Sequence, residues 1–573
     1  MAKTTLRRKI EKSGQSGPTT TAPAGPGLGA THEQQEAFKL FKKGAQLQKR
    51  GDYRAAAKMH LKGLKLDKDS VYGRKLLADT LANLGRRNLA IQTYEHALEL
   101  APDDMEIHFG LGNIALTMQM YDVAAKFFEI YTIHRPDDPM GFNNLASALR
   151  MQEKLDDAIA LLQRVLPLHP ESSSLWNTLA ATVYDRDGLD ASIPFYEEAL
   201  RLDPNSGMTL NNLGRCMEQK GDFKRGAELA RRALRADKRL TEPRMVLSAC
   251  LLSLGELAEG WENYSERFNP RRPDTTFYTH GLPEWRGEDI SEKTILICPE
   301  QGLGDEILFA NVFGEVIKKA KKCLIGCDRR LVPLFARSFP AAKVGAYVDS
   351  RHDAHRYRTL PFAEADDVTH GDLAIPAGEL MKFFRPTTES FPEHAGFLTP
   401  DPERVTYWKS RLDDLGPGPK VGICWRSGMR NVDRNRYYTS LNDWAPIFEV
   451  PGVQFVNLQY DDCKAEIDAA RAKHGVDVHM LNGIDLKNDL DDAAALTAAL
   501  DLVLSAPTSV GMTAIGVGTE LWSLLRVLPF WSFGQKDHSP IHANSRLFIW
   551  PENGGWPEVI EAVGAELRKF AAN

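Results

Sequence analysis

The sequence predicts two architectures in one chain, an all-α array of repeated helical hairpins followed by an α/β module with parallel sheets. The array is indicated by four prolines at equal intervals, Pro102, Pro136, Pro170 and Pro204. Their period of about 34 residues is typical of helix–turn–helix repeats that stack side by side. The α/β module is indicated beyond about residue 280, where short β-rich runs alternate with helical stretches.

Each repeat places small and bulky residues at the same positions. With the first repeat starting at residue 37, a recurring pair stands at positions 7 and 8 of the later repeats: Leu77-Ala78, Leu111-Gly112, Leu145-Ala146, Leu179-Ala180, Leu213-Gly214 and Leu247-Ser248. The small residue lets two helices approach, and the proline at position 32 ends the second helix. On these positions residues 37–274 resemble the tetratricopeptide family. The resemblance implies about seven repeats and a peptide-binding groove.

Three asparagines are candidate groove residues. In tetratricopeptide repeats, position 5 of the first helix points into the concave groove, and here Asn143, Asn177 and Asn211 occupy it in successive repeats. An amide side chain donates and accepts at once, which suits the backbone of an extended peptide. We expect these residues to bind a protein acceptor. The alternative is that asparagine is simply common at this position.

Composition narrows the class of protein. The chain has 573 residues, 43% of them hydrophobic and 26% charged, as in ordinary globular proteins. A net charge of −6 gives no reason to expect nucleic acid as the partner. The longest apolar runs are shorter than the ~18 residues of a membrane span. Seven cysteines without a framework spacing fit a reducing cytoplasm, which is the predicted location.

The predicted boundaries follow changes in composition. Residues 1–36 are basic, then rich in Thr, Pro and Gly, and lack the apolar stretch of a secretion signal, which predicts a disordered tail. After the repeats we expect a linker at 275–290, an amino-terminal α/β domain at 291–412 and a carboxyl-terminal one at 413–573. Two doubly wound, Rossmann-like domains across a cleft would form the GT-B arrangement of many glycosyltransferases, although periodicity alone indicates only two α/β domains.

The first chemical motif, residues 299–310, follows a predicted strand and opens a helix. Gly302 and Gly304 would make a tight turn there, so that the backbone can approach a ligand. The segment resembles the amino-terminal loop of heptosyltransferase-like glycosyltransferases, including those joined to tetratricopeptide arrays. The resemblance implies that Asp305 is the general base and takes the proton of an acceptor hydroxyl. The alternative is that Asp305 only caps the helix.

The second motif, residues 421–441, follows another predicted strand. It brings Trp425, Arg426 and Ser427 to the carboxyl end of that strand, where doubly wound domains bind ligands. Guanidinium groups match phosphate geometry, so Arg426 and the later Arg436 are candidates for holding the phosphate of a leaving nucleotide. The pattern resembles the phosphate-side loop of the same families. A solvated basic loop is the alternative.

The third motif, residues 502–525, pairs a strand with a small-residue helix. Thr508 and Ser509 open this helix, where hydroxyls and free N–H groups can hold a phosphate. The segment resembles the donor site of heptosyltransferases and of O-GlcNAc-transferase-like enzymes. Those families commonly place His beside the hydroxyl pair, whereas Pro507 and Val510 flank it here. The alternative is an ordinary helix cap.

The resemblance as a whole implies an inverting, metal-independent glycosyltransferase that needs no cofactor beyond its nucleotide-sugar donor. The acceptor would be a Ser or Thr hydroxyl of a protein recruited by the repeats. The stretches RYYTSLNDW and FVNLQY resemble flagellin glycosyltransferases, which implies flagellin as acceptor and a CMP-activated nonulosonic acid such as pseudaminic acid as donor. Two alternatives stay open: a non-catalytic scaffold with a decayed sugar-nucleotide domain, and an enzyme that acts on an envelope glycan.

Overall fold

The computed structural model describes residues 30–272, 275–352, 355–364, 372–393, 396–428, 437–551 and 554–572. The chain divides into two compact units, Met1–Leu213 and Gly214–Asn573. The division falls inside a helix, within the range predicted for the repeats. Among the described residues, no helix is both long and apolar enough to cross a membrane.

The first unit consists of helices that follow one another in pairs. These helices are α1 (His32–Lys49), α2 (Tyr53–Leu66), α3 (Val71–Asn83), α4 (Arg87–Leu100), α5 (Met105–Thr117), α6 (Tyr121–His134), α7 (Pro139–Met151), α8 (Leu155–Val165), α9 (Ser173–Asp187) and α10 (Leu189–Leu202), while α11 (Gly207–Lys220) crosses the division. The predicted array of paired helices is thus confirmed. The first helix begins before residue 37, because Thr31 and Gln34 form a capping box there.

The small residue at position 8 has the predicted role in helix packing. A Cβ added to Gly112 would lie 2.8 Å from the ring of Phe128, which occupies position 24 of the same repeat. A side chain at Gly112 would therefore require the Phe128 ring to shift. Phe128 is fully buried in the core that the hairpins share.

The second unit opens with three more helices and continues as an α/β structure. Its helices are α12 (Phe223–Ala236), α13 (Glu242–Leu254), α14 (Leu257–Tyr264), α15 (Leu303–Phe309), α16 (Phe313–Lys319), α17 (Val332–Ser338), α18 (Pro361–Glu364), α19 (Met381–Phe384), α20 (Pro402–Asp413), α21 (Ala445–Phe448), α22 (Lys464–His474), α23 (Leu490–Ala499), α24 (Ser509–Val517) and α25 (Trp556–Ala572). A 3₁₀ turn at Ser265–Phe268 follows α14.

Two parallel sheets form the core of the α/β part, as predicted. The strands of the unit are β1 (Thr276–Tyr278), β2 (Thr294–Cys298), β3 (Lys322–Cys327), β4 (Lys343–Ala346), β5 (Val348–His352), β6 (His355–Thr359), β7 (Leu373–Pro376), β8 (Lys420–Cys424), β9 (Gln454–Asn457), β10 (Val478–His479), β11 (Leu502–Ser505), β12 (Leu521–Leu525) and β13 (Ser545–Ile549). One sheet has the order β4-β3-β2-β7 and the other the order β10-β9-β8-β11-β12-β13. Both are parallel throughout.

A third, small sheet has the order β1-β6-β5. It joins the segment predicted as a linker, which contains β1, to a hairpin inserted between β4 and β7. In this sheet β1 pairs with β6 in parallel, and β5 pairs with β6 antiparallel. Tyr278 at the end of β1 donates its hydroxyl hydrogen to the carbonyl of Pro299. The small sheet is thereby attached to the loop after β2.

The helices at the start of the second unit pack directly on the α/β part. Trp261 in α14 is fully buried, and its ring contacts Phe309 of α15 and Phe533. Its indole N–H donates to the carbonyl oxygen of Arg385 over 3.0 Å. A large buried indole with its polar atom satisfied is a strong packing contact. These last helices of the array are therefore part of the same body as the sheets.

Candidate functional site

Strand order indicates the position at which a ligand would bind to each of the two parallel sheets. In doubly wound sheets, ligands bind at the carboxyl ends of the strands, where the strand order reverses direction. In the four-stranded parallel sheet this point lies between β2 and β7, and in the six-stranded parallel sheet it lies between β8 and β11. The loops that follow β2, β8 and β11 carry the three motifs identified in the sequence, so all three stand at such points.

The first loop turns sharply into α15, as predicted. Gly302 precedes the helix in an extended conformation, and a Cβ there would lie 2.9 Å from Oδ2 of Asp305. Any larger residue at 302 would therefore displace the carboxylate of Asp305. Among the described residues, this carboxylate accepts no hydrogen bond.

Burial raises the pKa of Asp305 to about 6, with the charge of Glu300 as the next cause, whereas Arg267 opposes both. The side chain does not cap α15, because the described part of the chain has no side-chain hydrogen bond at that helix start. A carboxyl with a pKa close to neutrality and free lone pairs has the properties of a general base.

The neighbouring carboxyl, Glu306, is not suited to that task. It is 2% exposed, and its Oε2 accepts the backbone N–H of Asp328 over 2.7 Å. Burial raises its pKa to about 8, so it carries a proton at neutral pH. Of these two adjacent acids, Asp305 is therefore the one that can accept a proton.

The third motif lies next to the first. A Cβ at Gly304 would be 3.7 Å from both the Cα of Ser509 and the Cγ of Met512, so α15 and α24 contact each other at their first turns. Thr508 stands at the N-cap of α24 but makes no capping bond. Its hydroxyl lies 3.3 Å from Ser505 Oγ. The first N–H groups of α24 thus lack a side-chain cap beside the Asp305 loop, an arrangement suited to an anion.

Between these elements lies a pocket of about 200 Å³. Its lining includes Leu303, Arg330, Tyr460, Ser509 and Thr513. It therefore borders both the first and the third motif, and it combines apolar walls with a guanidinium and with hydroxyls that can donate to a ligand.

The second motif is held by acidic residues. Arg426 is 7% exposed, and its guanidinium donates to Glu466 over 2.7 Å and to Asp461 over 2.5 Å. Trp425 donates its indole N–H to the same Glu466 over 2.6 Å. Arg426 would have to give up these carboxylates before it could bind a phosphate, so its contacts favour a role in positioning the loop.

The end of the second motif is ordered by Tyr460. The backbone N–H of Gly428 donates to the Tyr460 hydroxyl over 3.0 Å, and Ser427 Oγ lies 3.4 Å from the same oxygen. Tyr460 thus fixes Ser427 at the carboxyl end of β8 and also lines the pocket described above. The predicted phosphate ligand Arg436 lies outside the described residues.

The sequence analysis did not identify several residues that surround the site. Glu300 and Arg267 form a buried ion pair whose charges act on Asp305, Tyr460 orders the second loop, and Arg526 directly follows β12. Two of them were within reach of prediction, because Glu300 belongs to the first motif and Tyr460 ends the stretch FVNLQY. The two arginines lie outside every motif.

The groove asparagines form hydrogen bonds within the first unit. Asn143 Oδ1 accepts from Thr178 over 2.7 Å, and Asn177 Oδ1 accepts from Asn212 over 3.2 Å. These two amides thus stand at seams between neighbouring repeats. The Oδ1 of Asn211 is buried and has no partner among the described residues. The role of the three residues in acceptor binding stays a prediction.

Comparison with known proteins supports the repeats directly. A tetratricopeptide repeat model matches residues 75–139, 109–173 and 177–240. Solved structures similar to the chain include MamA from Desulfovibrio magneticus RS-1 (19% identity, 30% of this chain and 97% of that one, TM-score 0.27) and yeast Tom70 (17% identity, 47% and 55%, TM-score 0.37).

A curated relative spans nearly the whole chain. Protein FlbA from Caulobacter vibrioides is 36% identical over 528 residues, which make up 91% of this chain and 88% of the relative. The alignment therefore includes most of the α/β part as well as the repeats. The chain belongs to the family of Protein FlbA.

Proposed function

We propose that this chain is an inverting glycosyltransferase of the GT-B type. It transfers a sugar from a nucleotide-activated donor to a Ser or Thr hydroxyl of a protein that the repeats recruit. The observation that carries the proposal is the contact between the first turns of α15 and α24 at Gly304 and Ser509. It brings a carboxyl suited to proton removal beside a helix start suited to phosphate.

The reaction uses these groups in one displacement. The acceptor hydroxyl oxygen attacks the anomeric carbon of the sugar, and its proton passes to the Asp305 carboxylate. The bond between that carbon and the phosphate oxygen breaks, and its electron pair leaves with the nucleotide. The first N–H groups of α24, with the hydroxyls of Thr508 and Ser509, stabilise the negative charge on the departing phosphate.

The repeats contribute recruitment rather than chemistry. A tetratricopeptide array holds a protein segment, which raises the effective concentration of its hydroxyl groups at the site. This role explains why an array of this length belongs to the same chain. We propose flagellin as the acceptor and a CMP-activated nonulosonic acid as the donor, on the resemblance of residues 436–444 and 455–460 to flagellin glycosyltransferases.

The test is the intact mass of flagellin from cells that carry the wild-type chain or its Asp305→Asn variant. A mass increment of sugar size that is present only with the wild type supports transfer and identifies the class of sugar. Flagellin of the same mass in both strains contradicts flagellin as acceptor. If donor turnover by the purified wild-type protein is absent as well, the chain is a binding protein.

A further inference from the structure

Arg426 is bound to two carboxylates, so its charge reaches a donor phosphate only if those contacts are lost. Arg526 directly follows β12 and is half-buried. Among the described residues, no carboxylate pairs with its guanidinium, and the guanidinium donates no hydrogen bond. Its contacts are with two aromatic rings, with the Tyr437 centroid 5.9 Å and the Trp550 centroid 5.1 Å from the guanidinium carbon.

Strand register places Arg526 at the ligand-binding edge. Ser505 of β11 pairs with Cys424 of β8 on one side and with Ser523 of β12 on the other. The residues three positions after this row are Ser427, Thr508 and Arg526, and they follow the three neighbouring parallel strands β8, β11 and β12. Adjacent strands lie about 4.8 Å apart, so one phosphate-bearing ligand can reach from the start of α24 to an arginine after the next strand.

A second, independent observation comes from the segment after β13. Trp550 follows this strand, and its backbone N–H donates to the carbonyl of Leu525, the residue before Arg526. Its indole Nε1 is buried and has no hydrogen-bond partner in the described part of the chain. A buried N–H group without an acceptor is costly, and such groups are normally satisfied by a partner or a ligand. Two donor groups without a hydrogen-bond partner among the described residues, the buried indole N–H and the half-buried guanidinium, therefore lie side by side at this edge.

We infer that Arg526 and Trp550 bind the phosphate of the donor nucleotide. Arg526 provides the positive charge at this position, because Arg426 is engaged in ion pairs with Asp461 and Glu466. This inference rests on the proposed function and assigns a further residue to its donor site. The guanidinium offers two parallel N–H groups to the phosphate oxygens, and the indole N–H offers a third donor. The two residues that follow Arg526, Val527 and Leu528, pack against the core of α12 and α13 and so fix its backbone.

The test measures binding of nucleotides and of the matching nucleosides to the full chain by calorimetry. The probes are CMP, CDP, UDP and GDP, with cytidine, uridine and guanosine as the phosphate-free partners. We expect Arg526→Gln to weaken nucleotide binding by about ten- to a hundredfold, as for loss of a charge-assisted hydrogen bond, and to leave nucleoside binding unchanged. Trp550→Phe keeps an aromatic ring and should weaken nucleotide binding by a smaller factor than Arg526→Gln does.

Arg546 provides the matched control. It also lies over aromatic rings of the same sheet, Trp522 and Phe548, but it is paired with Glu566. Arg546→Gln should keep the nucleotide affinity within about twofold, because its charge is already paired.

Two results would overturn the inference. The first is that Arg526→Gln binds nucleotides more tightly than nucleosides by the same factor as the wild type. The second is that the wild type binds nucleotides and nucleosides with equal affinity. The proposed function is judged separately, by the mass of flagellin. If wild type and Arg526→Gln modify flagellin equally, the proposed function is supported and the Arg526 site is contradicted. If binding depends on the phosphate but no transfer occurs, the Arg526 site is supported and the proposed function is contradicted.

Discussion

Arg267 and Glu300 form a buried ion pair between the turn after α14 and the loop that carries Asp305. The guanidinium donates to Glu300 over 2.7 Å and to Glu379 over 2.5 Å, and both ends of each pair are at most 5% exposed. Glu300 also accepts the backbone N–H of Gly378 over 2.7 Å. One arginine from the helical part thus pairs with two buried carboxylates, and the charges of Arg267 and Glu300 both act on Asp305.

Removal of this arginine should destabilise the second unit strongly. Arg267→Gln leaves Glu300 buried without its counter-charge and Glu379 with Lys382 alone, and breaking a buried pair costs about 3–5 kcal/mol. Denaturant unfolding of the full chain, followed by tryptophan fluorescence, measures the change. The matched control is Arg231→Gln, which breaks a surface pair with Glu259 and should cost less than about 1 kcal/mol. Equal losses for the two variants would contradict the structural role of Arg267.

The rate of transfer should follow the ionisation of Asp305. The carboxylate is the form that accepts a proton, and its pKa is raised to about 6. Activity should therefore be half-maximal near pH 6, fall about tenfold for each pH unit below it, and level off above it. The measurement is kcat/KM for donor turnover between pH 4.5 and 8. A rate that stays constant down to pH 4.5 would exclude Asp305 as the base.

Asp305 should also lower the stability of the protein at neutral pH. Its folded-state pKa lies above the ordinary value of 3.8, so the folded chain holds the proton more tightly, and this stabilisation is lost as pH rises from about 4 through 6. Asp305→Asn should therefore raise Tm by a few degrees at pH 7.5 and have little effect at pH 4. Thermal unfolding at both pH values tests this. A lower Tm at pH 7.5 would show that the charged carboxylate stabilises the fold.

Replacement of Gly302 should lower activity without impairing folding. In Gly302→Ala the new Cβ meets only the end of the Asp305 side chain, at 2.9 Å, so the carboxylate shifts while the backbone stays. A displaced base should lower kcat about tenfold or more. Gly314→Ala in α16 is the control, because its Cβ meets nothing within 4 Å. An unchanged kcat in Gly302→Ala would show that the reaction does not depend on the position of the Asp305 carboxylate.

The groove asparagines should contribute unequally to acceptor binding. Asn211 has a buried Oδ1 without a partner among the described residues, whereas the corresponding oxygens of Asn143 and Asn177 accept bonds from neighbouring repeats. Asn211→Ala should weaken flagellin binding severalfold. The Asn143→Ala and Asn177→Ala variants should mainly lower Tm. Calorimetric titration with purified flagellin measures the affinities, and an Asn211→Ala variant that binds like the wild type would remove this residue from the groove.

The parts of the site that follow from local pattern were predictable from the sequence. A strand, a glycine turn and a helix start lie within a few residues of one another, so the places of Gly302, Asp305 and Thr508 follow from their own segments. The repeats were predictable for the same reason, because each hairpin packs by positions that recur with a constant period.

What depends on distant residues could not be predicted. Arg426 was expected at a phosphate, but its surroundings are set by Glu466, which lies 40 residues further on. Arg267 and Glu300 are separated by 33 residues and belong to different kinds of structure. Arg526 lies outside the three motifs, so its place directly after β12 was not predicted. Single-chain patterns do not reveal such pairings, because tertiary contacts decide them.

The packing of Trp261 on Phe309 and Phe533 has a consequence for how this family can vary. In a stacked array each repeat depends mainly on its neighbours, so repeats can be gained or lost from one end without disturbing the rest. The final hairpin cannot be gained or lost in this way, because it packs directly against the α/β part. The number of repeats can therefore change during evolution, whereas the last hairpin must change together with the residues of the sheets that it contacts.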